Sequence, residues 1–355
     1  MLPSEIKTII TNFQLTESAV RASRWGEGHI HDTYLVETKD HQPDYILQKL
    51  NQNVFRNIPG MMENIEAITR HFRKRLTSMP GHDPDAEALT LVYTKEGKSW
   101  YTDEAGDCWR VYIFIPDTVS YQKMEDPALA YEAGKAIGFF QAMLSDLESK
   151  LVDTIPDFHN IGFRINQYEQ AKNSDTYGKI GYVTDDILFA EKRFGRMKSY
   201  YQSLKENAIF RATHNDTKVN NVLFDRNNKA QCLIDLDTVM PGYVHFDYGD
   251  ALRTMANTAL EDERDLGKVH FNEDVYRAFT KGYLQEAESF LNKDELLLLP
   301  FAPIYLTFLI GLRFLTDHLN GDVYFRIHHP GHNLERARVQ FKLVSEMEKV
   351  LIFNF

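Results

Sequence analysis

Two hydrophobic rhythms divide the chain. In residues 16–50 and 88–116, apolar positions fall in short β-type runs. These are Tyr34-Leu35-Val36, Tyr45-Ile46-Leu47, Leu89-Thr90-Leu91-Val92-Tyr93 and Trp109-Arg110-Val111-Tyr112-Ile113-Phe114-Ile115. Strands of this kind are rich in β-branched and aromatic residues and bounded by turn formers. Here the turns are Lys39-Asp40-His41-Gln42-Pro43-Asp44 and Asp103-Glu104-Ala105-Gly106-Asp107. Between the two regions, Met61 to Thr77 carries Met62, Ile65, Ile68 and Phe72 at helical spacing. After Pro116 the apolar period becomes 3.6, in 129–147, 185–204, 274–290, 303–319 and 334–351. One hairpin-like pair interrupts these helices: Val222-Leu223-Phe224 and Cys232-Leu233-Ile234, joined by Asp225-Arg226-Asn227-Asn228. The pattern predicts an α+β protein with a small antiparallel β lobe carrying one helix (1–115). A larger, mostly helical lobe (116–355) follows across a hinge near 115–120. No internal repeat or low-complexity tract is visible.

Composition narrows the function classes. The chain has 355 residues, 43% hydrophobic and 26% charged, enough for sizeable cores and too apolar for disorder. A net charge of −11 repels phosphate backbones, so no nucleic-acid partner is expected. Cys108 and Cys232 have no neighbour at zinc spacing and fit free thiols in a reducing compartment. The N-terminus shows neither a basic nor an apolar signal region. The uncharged run from Leu296 to Leu312 begins near Pro300 and Pro303 and is closed by Arg313 and Asp317. It reads as a buried core helix rather than a membrane span, and the expected location is cytoplasmic. His328-His329-Pro330-Gly331-His332 offers a zinc-like spacing with no accompanying cysteine or carboxylate cluster, so a surface turn is expected. The apolar tail Leu351–Phe355 suits packing on the body or on a second subunit.

The hairpin carries the chemistry. Before it stands His214-Asn215-Asp216-Thr217-Lys218-Val219-Asn220-Asn221, and after it Ile234-Asp235-Leu236-Asp237. Phosphoryl transfer needs a carboxylate beside the attacking hydroxyl and oxygen ligands for Mg²⁺. Asp216 would supply the base, and Asn221 and Asp235 the metal ligands. Asn-Asp pairs are commonly turns and a strand-end aspartate is commonly a helix cap. It is the combination that points to a phosphotransferase. In the small lobe, Gly26-Glu27-Gly28 suits a tight turn over phosphates, although an ordinary hairpin turn has the same look. Lys49, ending the strand Tyr45–Leu47, is placed to reach the α- and β-phosphates, with Glu63, or Glu66 one turn on, to pair with it. Asp237 is expected to shape the sugar pocket or the loop, though it too could approach the metal.

The chain resembles the aminoglycoside phosphotransferase family of small-molecule kinases, from the Gly26-Gly28 hairpin to near Arg338. Within it the likeness is greatest to the N-acetylhexosamine 1-kinases. That likeness rests on Gly26-Glu27-Gly28-His29-Ile30-His31-Asp32-Thr33-Tyr34, Met62-Glu63-Asn64-Ile65-Glu66-Ala67 and the His214–Asn221 loop. It continues through Ile234-Asp235-Leu236-Asp237-Thr238-Val239-Met240-Pro241-Gly242, Tyr248-Gly249-Asp250-Ala251-Leu252-Arg253 and Arg313-Phe314-Leu315-Thr316-Asp317-His318. The resemblance implies a bilobal protein-kinase-like fold, ATP and Mg²⁺, and a small-molecule sugar acceptor phosphorylated on its anomeric hydroxyl. It implies Asp216 as catalytic base, His214 and Asp250 as braces of its loop, and His29, Thr238, Arg313 and Tyr324 as sugar contacts. Independently, an arginine ending an apolar helix must reach a polar place, a site mouth or a pairing with Asp317. No activation loop or Ala-Pro-Glu segment follows Asp235, which argues against a protein substrate. The rivals are a kinase of another small alcohol, such as choline, homoserine or an aminoglycoside, and an inactive kinase-like binding module.

Overall fold

The structure is a computed structural model that describes residues 2–351 apart from 17, 27–29 and 40–42. Its first part is a sheet flanked by helices: α1 (Ser4–Ile10), β1 (Ala19–Arg24), β2 (Asp32–Thr38), β3 (Tyr45–Lys49), α2 (Ile58–Thr77), α3 (Pro84–Glu87), β4 (Leu91–Val92), β5 (Tyr101–Thr102) and β6 (Cys108–Ile113). The strands are antiparallel in the order β1-β2-β3-β6-β4, with β5 also against β6. Alternation gives the sheet two different faces. On the outer face Tyr45, Leu47, Trp109 and Val111 close a small core with Ile6, Ile9, Ile10 and Phe13 around α1. α2, begun by Asn57 as N-cap and Pro59 in its first turn, buries Met61, Met62, Ile65, Ile68, Phe72 and Leu76. That stripe joins the core of the second lobe.

The second lobe contains α4 (Pro127–Leu144), α5 (Ile161–Ser174), α6 (Thr184–Glu191), α7 (Phe194–Asn207), β7 (Arg211–Thr213), β8 (Val222–Phe224), β9 (Ala230–Leu233), β10 (Met240–Gly242), α8 (Val244–Met255), α9 (Glu273–Ala287), α10 (Lys293–Leu298), α11 (Ala302–Leu319) and α12 (His332–Val350). β8 and β9 form the expected hairpin, and β7 pairs with β10. The helical stretch 185–204 is two helices, α6 and α7, parted at Lys192 and Arg193. α8 carries no polar face for a sequence pattern to detect, because every one of its residues but Thr254 is buried. The uncharged run begins in α10 and continues into α11, which lies in the core against α8 and α12. α4 and α9 cross with their backbones in contact. A Cβ on Gly134 would stand 2.1 Å from the Phe279 carbonyl oxygen, and one on Gly282 would stand 2.0 Å from that of Tyr131.

Candidate active site

The loop 214–221 leaves β7 and enters β8, so the β7–β10 and β8–β9 pairings hold both of its ends. Asn215 adopts a left-handed backbone (φ 66°), tolerable for asparagine, and turns the chain so that Asp216 faces the cleft. The bend is fastened by Asp247 on α8, whose carboxylate accepts from the backbone N–H of His214 (3.0 Å) and of Asn215 (2.6 Å). The Gln141 amide on α4 donates to the same carboxylate (2.8 Å), and the Tyr283 hydroxyl on α9 donates to the Gln141 oxygen (2.6 Å). Asp247 is therefore the brace expected of Asp250. Asp250 lies three residues later on α8, where it pairs with Arg253 instead (2.8 Å). The His214 Nε2 donates to the Ile234 carbonyl (3.0 Å), tying the loop to the residue before Asp235. The Thr238 hydroxyl donates to the His214 carbonyl (2.7 Å), so its side chain fastens the loop rather than facing a sugar.

Asp216 and Asn221 come together: the Asn221 Nδ2 donates to the Asp216 carbonyl (2.8 Å) and carboxylate (3.2 Å). The Lys218 ammonium, two residues past Asp216 and not singled out by the sequence reading, lies 2.8 Å from the same carboxylate. Burial opposes charge on Asp216, but Lys218 outweighs it and holds the group below the usual carboxylate range. Asp235 is the opposite case. Burial, the neighbouring Asp237 and Asp216 carboxylates push its pKa up, and no described residue donates a hydrogen bond to it. An aspartate with no donor, beside an asparagine whose Nδ2 is engaged and whose oxygen faces no donor, fits a hard divalent cation. Among the described residues no three His, Cys, Asp or Glu could hold a metal unaided. A nucleotide-bound Mg²⁺ needs only one or two carboxylates, since phosphates and water complete its shell.

The small-lobe side departs from expectation. Strand alternation puts Lys49 on the face of Tyr45 and Leu47, away from the loop. There its ammonium meets Asp107 at 2.5 Å and lies 5.8 Å from the Trp109 ring centre. Glu63 is exposed and Glu66 pairs with Arg70 (3.4 Å), so neither partners Lys49. The cation on the inner face is Arg110 of β6, next to Gln48 across the sheet (2.9 Å) and ion-paired with Asp237. His31 accepts from the Asn51 backbone at Nδ1 (3.0 Å), so its Nε2 carries the proton that it gives to Asp237. Asp237 thus joins both lobes, and Arg110 and His31 overcome its burial to hold it strongly ionised. Asn64 of α2 adds a second tie, donating to Val239 (2.9 Å) and Val152 (2.8 Å). Gly26 has φ 74°, a turn conformation suited to glycine. Gly28 and His29 lie outside the described residues.

On the far side of the loop, a cavity of about 460 Å³ opens between α5 and the end of α11. Arg164, Gln167, Gln170 and Ser174 line it from one face of α5, and Arg313, Thr316, Asn320 and Tyr324 from the other side. Arg313 does not pair with Asp317, whose carboxylate accepts from the backbone of Val323, Tyr324 and Phe325 and from Asn333. The guanidinium lies instead against the rings of Phe158, Tyr324 and Phe325, 5.2–5.7 Å from their centres. Its charge is felt at Asp216 and at buried His159, whose Nε2 donates to the Asn215 carbonyl (3.1 Å). Burial and Arg313 bring the His159 pKa down to about 3, so this ring stays neutral. The same two causes bring Arg164 down to about 9. Arg164 was not foreseen; its signal was a charge on the apolar stripe Ile161, Ile165, Tyr168 of α5. The histidines 328, 329 and 332 start α12 as a turn, with His329 bonded to Glu335 (2.7 Å) and His332 to Asp262 (3.0 Å).

Residues 21–283 match the phosphotransferase enzyme family. Among solved structures the chain is similar to a microcompartment-associated aminopropanol kinase, with a TM-score of 0.63 and 15% identity over 98% of this chain and 97% of that one. It is also similar to spectinomycin phosphotransferase APH(9)-Ia solved with ADP and spectinomycin (0.57, 12%, covering 99% and 98%). A choline kinase from Cryptosporidium parvum superposes at 0.53 with 15% identity, covering 95% and 91%.

Proposed function

The chain belongs to the phosphotransferase enzyme family, and from that premise we propose that it is an ATP-dependent, Mg²⁺-requiring kinase of the anomeric hydroxyl of N-acetylhexosamines. Residues 1–115 would form the nucleotide lobe, with the Gly26–Gly28 turn over the phosphates, and 116–355 the catalytic and acceptor lobe of a cytoplasmic enzyme. Asp216 orients the acceptor hydroxyl and takes its proton. An anomeric hydroxyl is more acidic than an ordinary alcohol, so a base held ionised by Lys218 suffices. Asn221 and Asp235 would hold Mg²⁺, which when bound offsets the charge of the nucleotide phosphates. Lys218 stands beside the base, where negative charge gathers as the phosphoryl group moves. Arg313 and Tyr324 would face the sugar, and His29 would be a further sugar contact.

The observation that carries the acceptor reading is the charge of the acceptor side. A kinase of choline or an aminoglycoside must receive a cation, which acidic side chains would favour and arginines repel. Here the cavity behind Asp216 presents Arg164 and Arg313, and the carboxylate of Asp317 in its wall is taken up by loop N–H groups. The test is ADP release with ATP and Mg²⁺ against N-acetylglucosamine, N-acetylgalactosamine, choline, homoserine and an aminoglycoside, with Asp216→Asn alongside. Turnover with the N-acetylhexosamines, lost by about 10²–10⁴-fold in the variant with nucleotide binding intact, is the expected result. Turnover confined to the amino alcohols or the aminoglycoside would overturn the substrate. Nucleotide binding without any turnover would favour a binding module.

A further inference from the structure

Arg164 and Arg313 raise a question that a neutral sugar does not answer. Both guanidiniums line the same cavity, and among the described residues neither forms an ion pair with a carboxylate. Arg164 donates to the Phe158 carbonyl from Nε (3.2 Å) and Nη2 (2.8 Å) and to Gln167 (2.8 Å). Exposed Asp157 weakly favours its charge from a distance, its own carboxylate being bonded to Asn160 (2.7 Å). Like charges brought together away from water are costly unless something of opposite sign completes them. Arginine's planar fork suits a carboxylate, sulfate or phosphate group in particular.

We propose that the cavity between α5 and α11 is an anion subsite, and that the acceptor this kinase is built for is a sugar bearing a negatively charged substituent. This rests on the sugar-kinase reading of Asp216. Three features of the cavity support it. Its lining comes entirely from residues 164–174 and 313–325, with no residue of the small lobe, and its Arg313 acts on Asp216 and on His159, which is bonded to the Asn215 carbonyl, so it adjoins the acceptor side and not the nucleotide side. Beyond the arginines, Gln167, Gln170, Ser174, Thr316 and Asn320 offer groups that hydrogen-bond hydroxyls, and the one carboxylate in the lining, Asp317, is already taken up by the N–H groups of Val323, Tyr324 and Phe325 and by Asn333. At about 460 Å³ it also has room for a substituent beside the ring, or for a second sugar residue.

The experiment compares N-acetylglucosamine with its 6-phosphate, its 6-sulfate, and a disaccharide with an N-acetylhexosamine reducing end and a uronate beyond it. Binding is followed by calorimetry with ADP present, and kcat/KM by ADP release, for the natural chain, Arg164→Gln and Arg313→Gln. At least one anionic sugar should bind about tenfold or more tightly than the neutral parent, 1.4 kcal/mol per tenfold. That advantage should shrink as salt is raised and collapse in Arg164→Gln. The readout is the anionic-to-neutral ratio, which a purely structural loss would leave unchanged. The three anions separate a phosphate or sulfate acceptor from a carboxylate one. Equal or better binding of the neutral sugar by the natural chain overturns the proposal, whether or not the variants fold. So does an advantage that survives both substitutions. Phosphorylation of choline with no binding of any sugar would instead bring down the sugar-kinase reading itself, and this subsite with it.

Discussion

The two walls of the cleft are built in contrasting ways. On the large-lobe wall, Asp216, Asn221, Lys218 and the brace Asp247 come from the 34 residues from His214 to Asp247, and nearly every polar group has a short-range partner. On the small-lobe wall, His31 from the turn before β2, Gln48 of β3 and Arg110 of β6 meet the other lobe through one carboxylate, Asp237. A loop's chemistry is set by which groups are adjacent in sequence. A strand's chemistry is set by which face each residue takes, and one position decides it.

The sharpest way to break this contrast is Asp237→Asn, which leaves the Arg110 guanidinium buried without its anion. Stripping one partner from a buried pair costs about 3–5 kcal/mol, so thermal unfolding should fall by many degrees. A change no larger than that of a surface variant would mean that the small-lobe wall does not depend on it. Asp235→Asn should act in the opposite sense and more weakly. It removes a carboxylate crowded by Asp237 and Asp216, so the metal-free protein should melt slightly higher, while any Mg²⁺-dependent rise in melting temperature, measured with ADP, disappears. A lower melting point would show that Asp235 is held by the fold rather than reserved for a cation. The smallest effect is expected of Lys49→Gln. Its bridge to Asp107 is about a third exposed at both ends, 32% and 33%, so its loss should cost under about 1 kcal/mol. The KM for ATP should not move. A large rise in KM would return Lys49 to the phosphates.

The same contrast explains what could be read from the sequence. Asp216, Asn221 and Asp235 were legible because a loop and the hairpin that follows bring them together at fixed spacing. The α+β division was legible from the change of period. Lys49 misled because its place at the strand end, between the glycine hairpin and the helix, suggests a phosphate contact, whereas its parity with Tyr45 and Leu47 decides its face. Asp247 and Asp250 lie three residues apart on a helix buried all round, where sequence offers no polar face to orient either one. Arg164 and Arg313 meet only because α5 and α11 pack side by side, a tertiary fact with no local signature.

The chain of contacts from Tyr283 through Gln141 to Asp247 begins at the α4–α9 crossing, where glycines let two backbones touch. Its consequence is one of time. The amide hydrogens of His214 and Asn215 belong to an irregular loop beside an open cleft, and such amides ordinarily exchange with solvent by small local openings. Bonded to a carboxylate that two buried helices hold in place, they should be released only when those helices part. In heavy water the segment carrying Asp216 would then keep its protons about as long as the middle of α4, as immobile as core although it has the outward form of a loop.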